Sequence, residues 1–168
     1  MKWYAISGSW RIINNKVKKD LEEIVKGIIL KGNGIITGGA LGVDYIATQV
    51  VLDYGNVKKQ LKIYLPIKLE DFCMHYFKRA DEGVITKEQA EQITKQLKEV
   101  KRISPKSIFD DTNYNKANIE SYYARNTSII ENCDELYAFQ VNESKGTQDA
   151  INKAKKLGKK ATMKKYAI

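Results

Sequence analysis

Gly34-Ile35-Ile36-Thr37-Gly38-Gly39-Ala40-Leu41-Gly42-Val43-Asp44 is the stretch on which the fold turns. Its first four residues, rich in β-branched side chains, read as a short buried strand. The glycine loop from Gly38 to Gly42 then opens a helix in which Val43, Ile46, Ala47, Val50 and Val51 face inward and Gly55 is the stop. An apolar run, a glycine turn and an amphipathic helix in that order make a βα unit of the kind found in parallel sheets covered on both faces.

The same unit recurs on either side. Upstream, Trp3 to Ser7 reads as a strand. After the Gly8-Ser9-Trp10-Arg11 turn, Val17, Leu21, Ile24, Val25 and Ile28 place one apolar stripe on a helix ending near Gly32 and Gly34. Downstream, Leu61 to Leu65 is a strand stopped by Pro66. Leu136 to Val141 is another, and a last short one lies near Lys160 to Met163. Helices are expected over Lys116 to Asn132 and Gly146 to Leu157. From Glu70 to Tyr123 the reading is helical and polar, with Thr86 and Gln89 spaced as a capping box and Ser104-Pro105 as a stop. The expectation is an α/β, Rossmann-like, three-layer αβα fold with a parallel sheet of about five strands. Residues 1–168 form one domain, and the segment of about 70–114 adds no strand but forms a helical insertion over the strand ends after strand three.

With 168 residues, 43% hydrophobic and only two prolines, the composition suits a folded domain rather than a disordered chain. No apolar run approaches the length of a membrane span, and the first residues lead straight into a strand without the features of a leader, so a soluble cytoplasmic protein is expected. Cys73 and Cys133 stand apart, neither in a CxxC pair, and read as small buried hydrophobes. The single histidine, His75, reads as structural. No metal site and no cofactor is indicated, and a Ser-His-Asp triad lacks parts. The formal charge of +9 favours polyanionic partners, although many of the lysines, among them Lys16, Lys153 and Lys159, fall at solvated helical positions.

In an open parallel sheet the ligand crevice lies beyond the carboxyl ends of the strands, where strand order reverses. Three loops there carry small, phosphate-compatible residues: Gly8-Ser9, Gly38 to Gly42, and Ser144-Lys145-Gly146-Thr147. Glycine after a strand admits close backbone approach, and the following helix points unpaired N–H groups at the crevice. A GxGxxG fingerprint after the first strand and a GxxxxGK[ST] loop are both absent, which disfavours a dinucleotide dehydrogenase and a P-loop NTPase.

Read together, Ser7-Gly8-Ser9, the Gly38-Gly39-Ala40-Leu41-Gly42-Val43-Asp44 loop, Arg125-Asn126-Thr127-Ser128-Ile129-Ile130 and Ser144-Lys145-Gly146-Thr147 resemble the SLOG superfamily. The nearest branch is the Rossmann domain of DNA-processing protein A (DprA/Smf). The resemblance covers the chain outside residues 70–114 and implies a nucleotide or nucleic-acid pocket. In it Gly8, Ser9, Gly38, Gly39, Gly42 and Gly146 line a phosphate path, Arg125 supplies a charged contact, and Ser144 and Thr147 supply donors. Lys145 and Asn126 belong to the same motifs. Arg125 reads either as a bidentate phosphate clamp or as a surface arginine paired with Glu131 or Glu120. Asp44 either accepts a ribose hydroxyl or satisfies the helix dipole, and Arg11 either reaches the phosphates or lies on the surface. Tyr122 and Tyr123 either stack on a base or join the core.

A more distant resemblance, to the LOG-type phosphoribohydrolases that look like lysine decarboxylases, implies a catalytic Glu in a PGGxGTxxE loop. Here Ala150 stands at that position and Asp149 lies one residue early. The expected function is therefore binding of a nucleotide or other phosphate-bearing ligand without catalytic residues. Single-stranded DNA binding is the first alternative and nucleotide N-glycosidase activity the second. Pairing into a homodimer is left open.

Overall fold

In the computed structural model, which describes residues 1–168, six parallel strands form one sheet in the order β4-β3-β2-β1-β5-β6. The strands are β1 (Trp3–Gly8), β2 (Gly34–Thr37), β3 (Leu61–Tyr64), β4 (Ile108–Phe109), β5 (Glu135–Val141) and β6 (Lys160–Tyr166). Seven helices connect them: α1 (Asn15–Leu30), α2 (Val43–Tyr54), α3 (Val57–Gln60), α4 (Leu69–Asp81), α5 (Lys87–Ile103), α6 (Ile119–Asn132) and α7 (Lys145–Lys156). The fold is the Rossmann-like three-layer α/β arrangement.

The strands explain the two cores. In β1 and β2 successive residues point to opposite faces, so Ile6 and Ile35 enter a core of 29 buried residues while Ala5 and Ile36 enter a second of 10. The larger core is closed by α1, α2, α4 and α5, the smaller by α6 and α7. This division follows from crossover handedness. The chain steps one way from β1 to β4 and then returns past β1 to β5, and a right-handed connection running the other way must lie on the other face. The reversal leaves a crevice between β1 and β5 at their carboxyl ends.

Two local signals form as their residue types demand. Asn14 caps α1, its side-chain oxygen accepting from the Val17 N–H at 3.0 Å. Thr86 and Gln89 make the reciprocal capping box that starts α5.

Other expectations are corrected. The sheet has six strands rather than about five, because Ile108–Phe109, inside the segment read as strandless, pairs with Ile63 and Tyr64 of β3. Two residues behind a proline turn carry too little pattern to be read. The last strand continues to Tyr166, its lysines facing solvent as suits a sheet edge. Ile119, the first residue of α6, is 72% exposed despite its apolar side chain. Cys73 and Cys133 are both buried and free.

Candidate functional site

The three loops reach the same edge but are not alike. In the loop after β2, the Asp44 carboxylate turns back and accepts from the N–H groups of Gly38 at 2.9 Å and Ala40 at 3.3 Å. Asp44 is itself buried; burial pushes its carboxyl up from its ordinary value, and the Arg125 charge and the two loop N–H groups oppose that rise. The loop thus holds its own anion, both N–H groups converging on Asp44 Oδ2.

The glycines of the first two loops have packing reasons. A Cβ on Gly8 would meet Val43 at 2.5 Å, one on Gly39 would meet Leu65 at 2.5 Å, and one on Gly42 would collide with the Ser9 carbonyl oxygen. The last contact is the point at which two loops close on each other: the Val43 N–H donates to that same Ser9 oxygen at 3.0 Å. The Ser9 hydroxyl accepts from the Ile12 N–H and is buried, which leaves Arg11 exposed, its guanidinium stacked on the Trp10 ring.

The loop after β5 is different. Asn142 and Glu143 both adopt positive φ, at 47° and 55°, and turn the chain sharply into α7. Asn142 is secured by a pair of hydrogen bonds with Ile168 at the end of the chain. Ser144 begins α7 without a side-chain cap, and its hydroxyl instead pairs with the Thr147 hydroxyl at 2.6 Å. The first N–H groups of a helix have no intrahelical partner, so Lys145, Gly146 and Thr147 present their donors at a partially positive terminus. Apart from its own chain neighbours and turn of helix, nothing lies within 4 Å of a Cβ built on Gly146, and Lys145 is exposed.

Arg125 is not the surface ion pair that one reading of the sequence offered. Its Nη1 donates to the Gly38 carbonyl at 2.9 Å, its guanidinium lies 5.1 Å from the centre of the Tyr122 ring, and its buried Nε has no partner in the protein. Neighbouring Asn126 ties this part of α6 to α7: its amide donates to the Gly146 carbonyl at 3.3 Å and to Asp149 at 3.0 Å. Consecutive residues of α6 thus reach the two loops, Arg125 the loop after β2 and Asn126 the first turn of α7. Asp149 also takes Lys153 at 2.6 Å, while Ala150 is buried in the smaller core. Lys153 is accordingly not a solvated lysine.

Helix α4 covers the loop after β2. The Tyr76 hydroxyl reaches the Gly39 carbonyl at 3.4 Å, and His75 meets the Tyr122 hydroxyl at 3.1 Å. Tyr76 and Tyr122 titrate above their ordinary value through burial, and His75 below, through burial and the nearby Arg79. Tyr122 is half-buried between His75 and Arg125, whereas Tyr123 is half-buried beneath Lys153. The part played by α4 was not readable, since nothing in the spacing of His75 and Tyr76 says which loop lies beneath them. No group of three or more His, Cys, Asp or Glu side chains comes together, and no helix is long and apolar enough to cross a membrane.

No protein-family model and no curated protein matches the sequence. Solved structures do. The chain is similar to DNA processing protein A from Helicobacter pylori, which was solved for its single-stranded DNA binding mode, with a TM-score of 0.70 and 21% identity over 96% of this chain. It is also similar to the structural-genomics target TM1055, with a TM-score of 0.57 and 17% identity, covering 96% of this chain and 72% of that one. DNA processing protein A from Streptococcus pneumoniae matches with a TM-score of 0.53 and 15% identity, again over 96% of this chain. The chain spans 64% of the Helicobacter protein and 58% of the Streptococcus protein. These likenesses show the Rossmann-like fold.

Proposed function

We propose that the carboxyl edge of the sheet binds single-stranded nucleic acid by its phosphates, with Arg125 and the amino terminus of α7 as neighbouring contacts. The observation that carries this reading is that the donors lie along an open edge. Gly146 faces free space and Lys145 and Arg11 are exposed, while the loop after β2 is closed by Asp44. An edge of that kind accommodates a chain of phosphates better than it encloses one small molecule. The surplus of 29 Lys and Arg over 20 Asp and Glu supports the same reading, as does the likeness of fold to a protein with a single-stranded DNA binding mode. In this reading residues 1–168 act as one domain. Gly8, Gly38, Gly39, Gly42 and Asp44 shape the edge, while Ser144, Lys145, Gly146, Thr147, Arg125 and Arg11 touch the ligand.

A nucleotide carrying a terminal phosphate is the second reading, favoured by the Ser144 and Thr147 hydroxyls held together beside three free N–H groups. Hydrolysis of an N-glycosidic bond has no such support, because Asp149 is bound to Lys153 and Asn126.

The test is fluorescence anisotropy of oligothymidine at two salt concentrations, beside a thermal-shift panel of nucleoside mono-, di- and triphosphates. Salt-steep binding of the oligonucleotide supports the single-strand reading. Stabilisation by one nucleotide with no oligonucleotide binding replaces it with the second.

A further inference from the structure

A groove of about 630 Å³ lies between α4 and the segment that leads into α6; His75 lines it and meets Tyr122, whose ring in turn carries Arg125. We propose that this groove is a second nucleotide subsite, occupied by the continuation of a single strand whose phosphates also meet Arg125 and α7; this rests on the single-strand reading. Its size is that of a small-ligand site. Ile67 contributes an apolar surface, His75 one wall, and Lys78, Lys116, Asn118 and Asp71 the polar groups.

The rim is built. Ser121 is fully buried, and its hydroxyl donates to the Lys116 carbonyl at 2.8 Å while accepting from the Asn118 N–H at 2.9 Å, so residues 116–118 have a fixed course. The Asn118 side-chain oxygen caps α6 through the Ser121 N–H, which leaves its amide hydrogens for a ligand. His75 is oriented by the Tyr122 hydroxyl and lies nearly parallel to the Phe72 ring.

The charges sort in the same direction. Arg79 and Glu82 form an ion pair at 2.9 Å and offset each other, whereas the ammonium groups of Lys78 and Lys116 make no ion pair within the chain. Two free cations flank a groove whose amide and carboxylate groups suit the edge of a base. That combination fits a nucleotide within a strand better than an isolated phosphate. The β5 and β3 ends are three strand spacings apart, roughly 14 Å, so a few extended nucleotides connect the two subsites.

The experiment measures anisotropy with oligothymidines of about four and about sixteen nucleotides, the range of site sizes for a small single-strand-binding fold. The full chain is compared with Lys78→Glu/Lys116→Glu and with Lys95→Glu/Lys98→Glu, an equal charge change at exposed positions on α5. Circular dichroism checks that both variants are folded. The expected result is a loss of about tenfold for the long strand in the groove variant alone. Its slope of log affinity against log salt should fall by about 1.4, or 0.7 for each of two phosphate contacts. Short-strand affinity stays unchanged. An unaltered slope, an equal loss in the α5 variant, or an equal loss for the short strand overturns the subsite. Failure of the unmodified chain to bind either strand overturns the single-strand reading itself.

Discussion

The Arg125 guanidinium occupies the space that a side chain at Gly38 would need: its Nη1 donates to the Gly38 carbonyl, and a Cβ there would stand 2.8 Å from its Cζ. The glycine is thus tied to the arginine, and the two substitutions should act through one contact. In the proposed single-strand reading, Arg125→Ala should remove a charge-assisted phosphate contact of about 1.5–3 kcal/mol, roughly ten- to a hundredfold in affinity. Gly38→Ala should push the guanidinium aside and produce part of the same loss, and the double variant should be no worse than Arg125→Ala alone. Anisotropy titrations of the four proteins check this; simple additivity would show that Gly38 acts without Arg125.

Gly39 and Gly146 should separate stability from binding. At Gly39 φ is +67° and a Cβ would meet Leu65 at 2.5 Å, so Gly39→Val combines backbone strain with overpacking and should cost about 2–5 kcal/mol. At Gly146 there is open space, so Gly146→Val should melt near the unmodified protein while shielding the N–H groups of α7 and weakening oligonucleotide binding. Denaturant melts and anisotropy on both variants decide the matter. Normal binding by folded Gly146→Val would remove the α7 terminus from the site.

This contrast also marks how far residue types can be read. The strands around Ile35 and Ile36, Leu136 to Val141 and Trp3 to Ser7 were legible because buried parallel strands are nearly continuous apolar runs. The glycine loops were legible as βα turns. What the letters of Gly8, Gly39 and Gly42 do not carry is whether the missing side chain makes room for a ligand or for Val43, Leu65 and Ser9, because those neighbours come from distant parts of the chain. The same limit applies to Asp44. A carboxylate in the first turn of a helix satisfies the dipole wherever it points, and only the folded loop aims it at the Gly38 and Ala40 N–H groups.

Lys159 looks in the sequence like one more solvated lysine, yet its ammonium donates to the carbonyls of Ile130 at 2.6 Å, Glu131 at 3.0 Å and Cys133 at 2.6 Å. Those are orphan acceptors at the end of α6, where a cation also meets the negative end of the helix dipole. Lys159→Met keeps the aliphatic stem and removes the donors, so it should lower unfolding stability by about 1.5–3 kcal/mol in a urea titration. The same change at Lys155, which is exposed, should move it by less than about 0.5 kcal/mol.

Tyr166, near the end of the chain, donates to the Asp20 carboxylate of α1 at 2.9 Å, joining the last strand to the first helix. The hydroxyl holds Asp20 below its ordinary 3.8, with help from Lys16 and Lys164. Burial and the Asp20 carboxylate raise Tyr166 above its ordinary 10.0. A lowered carboxyl stabilises the fold above pH 3.8 and loses that effect as pH falls through its folded value. A raised phenol stabilises below pH 10.0 and loses the effect as pH rises. Tyr166→Phe should therefore melt below the unmodified protein near neutral pH, and the gap should narrow on acidification below pH 3.8 and again above pH 10.0. Thermal melts across that range test it. A gap that stays constant at both extremes would mean that Tyr166 contributes ring packing against the core rather than a hydrogen bond to Asp20.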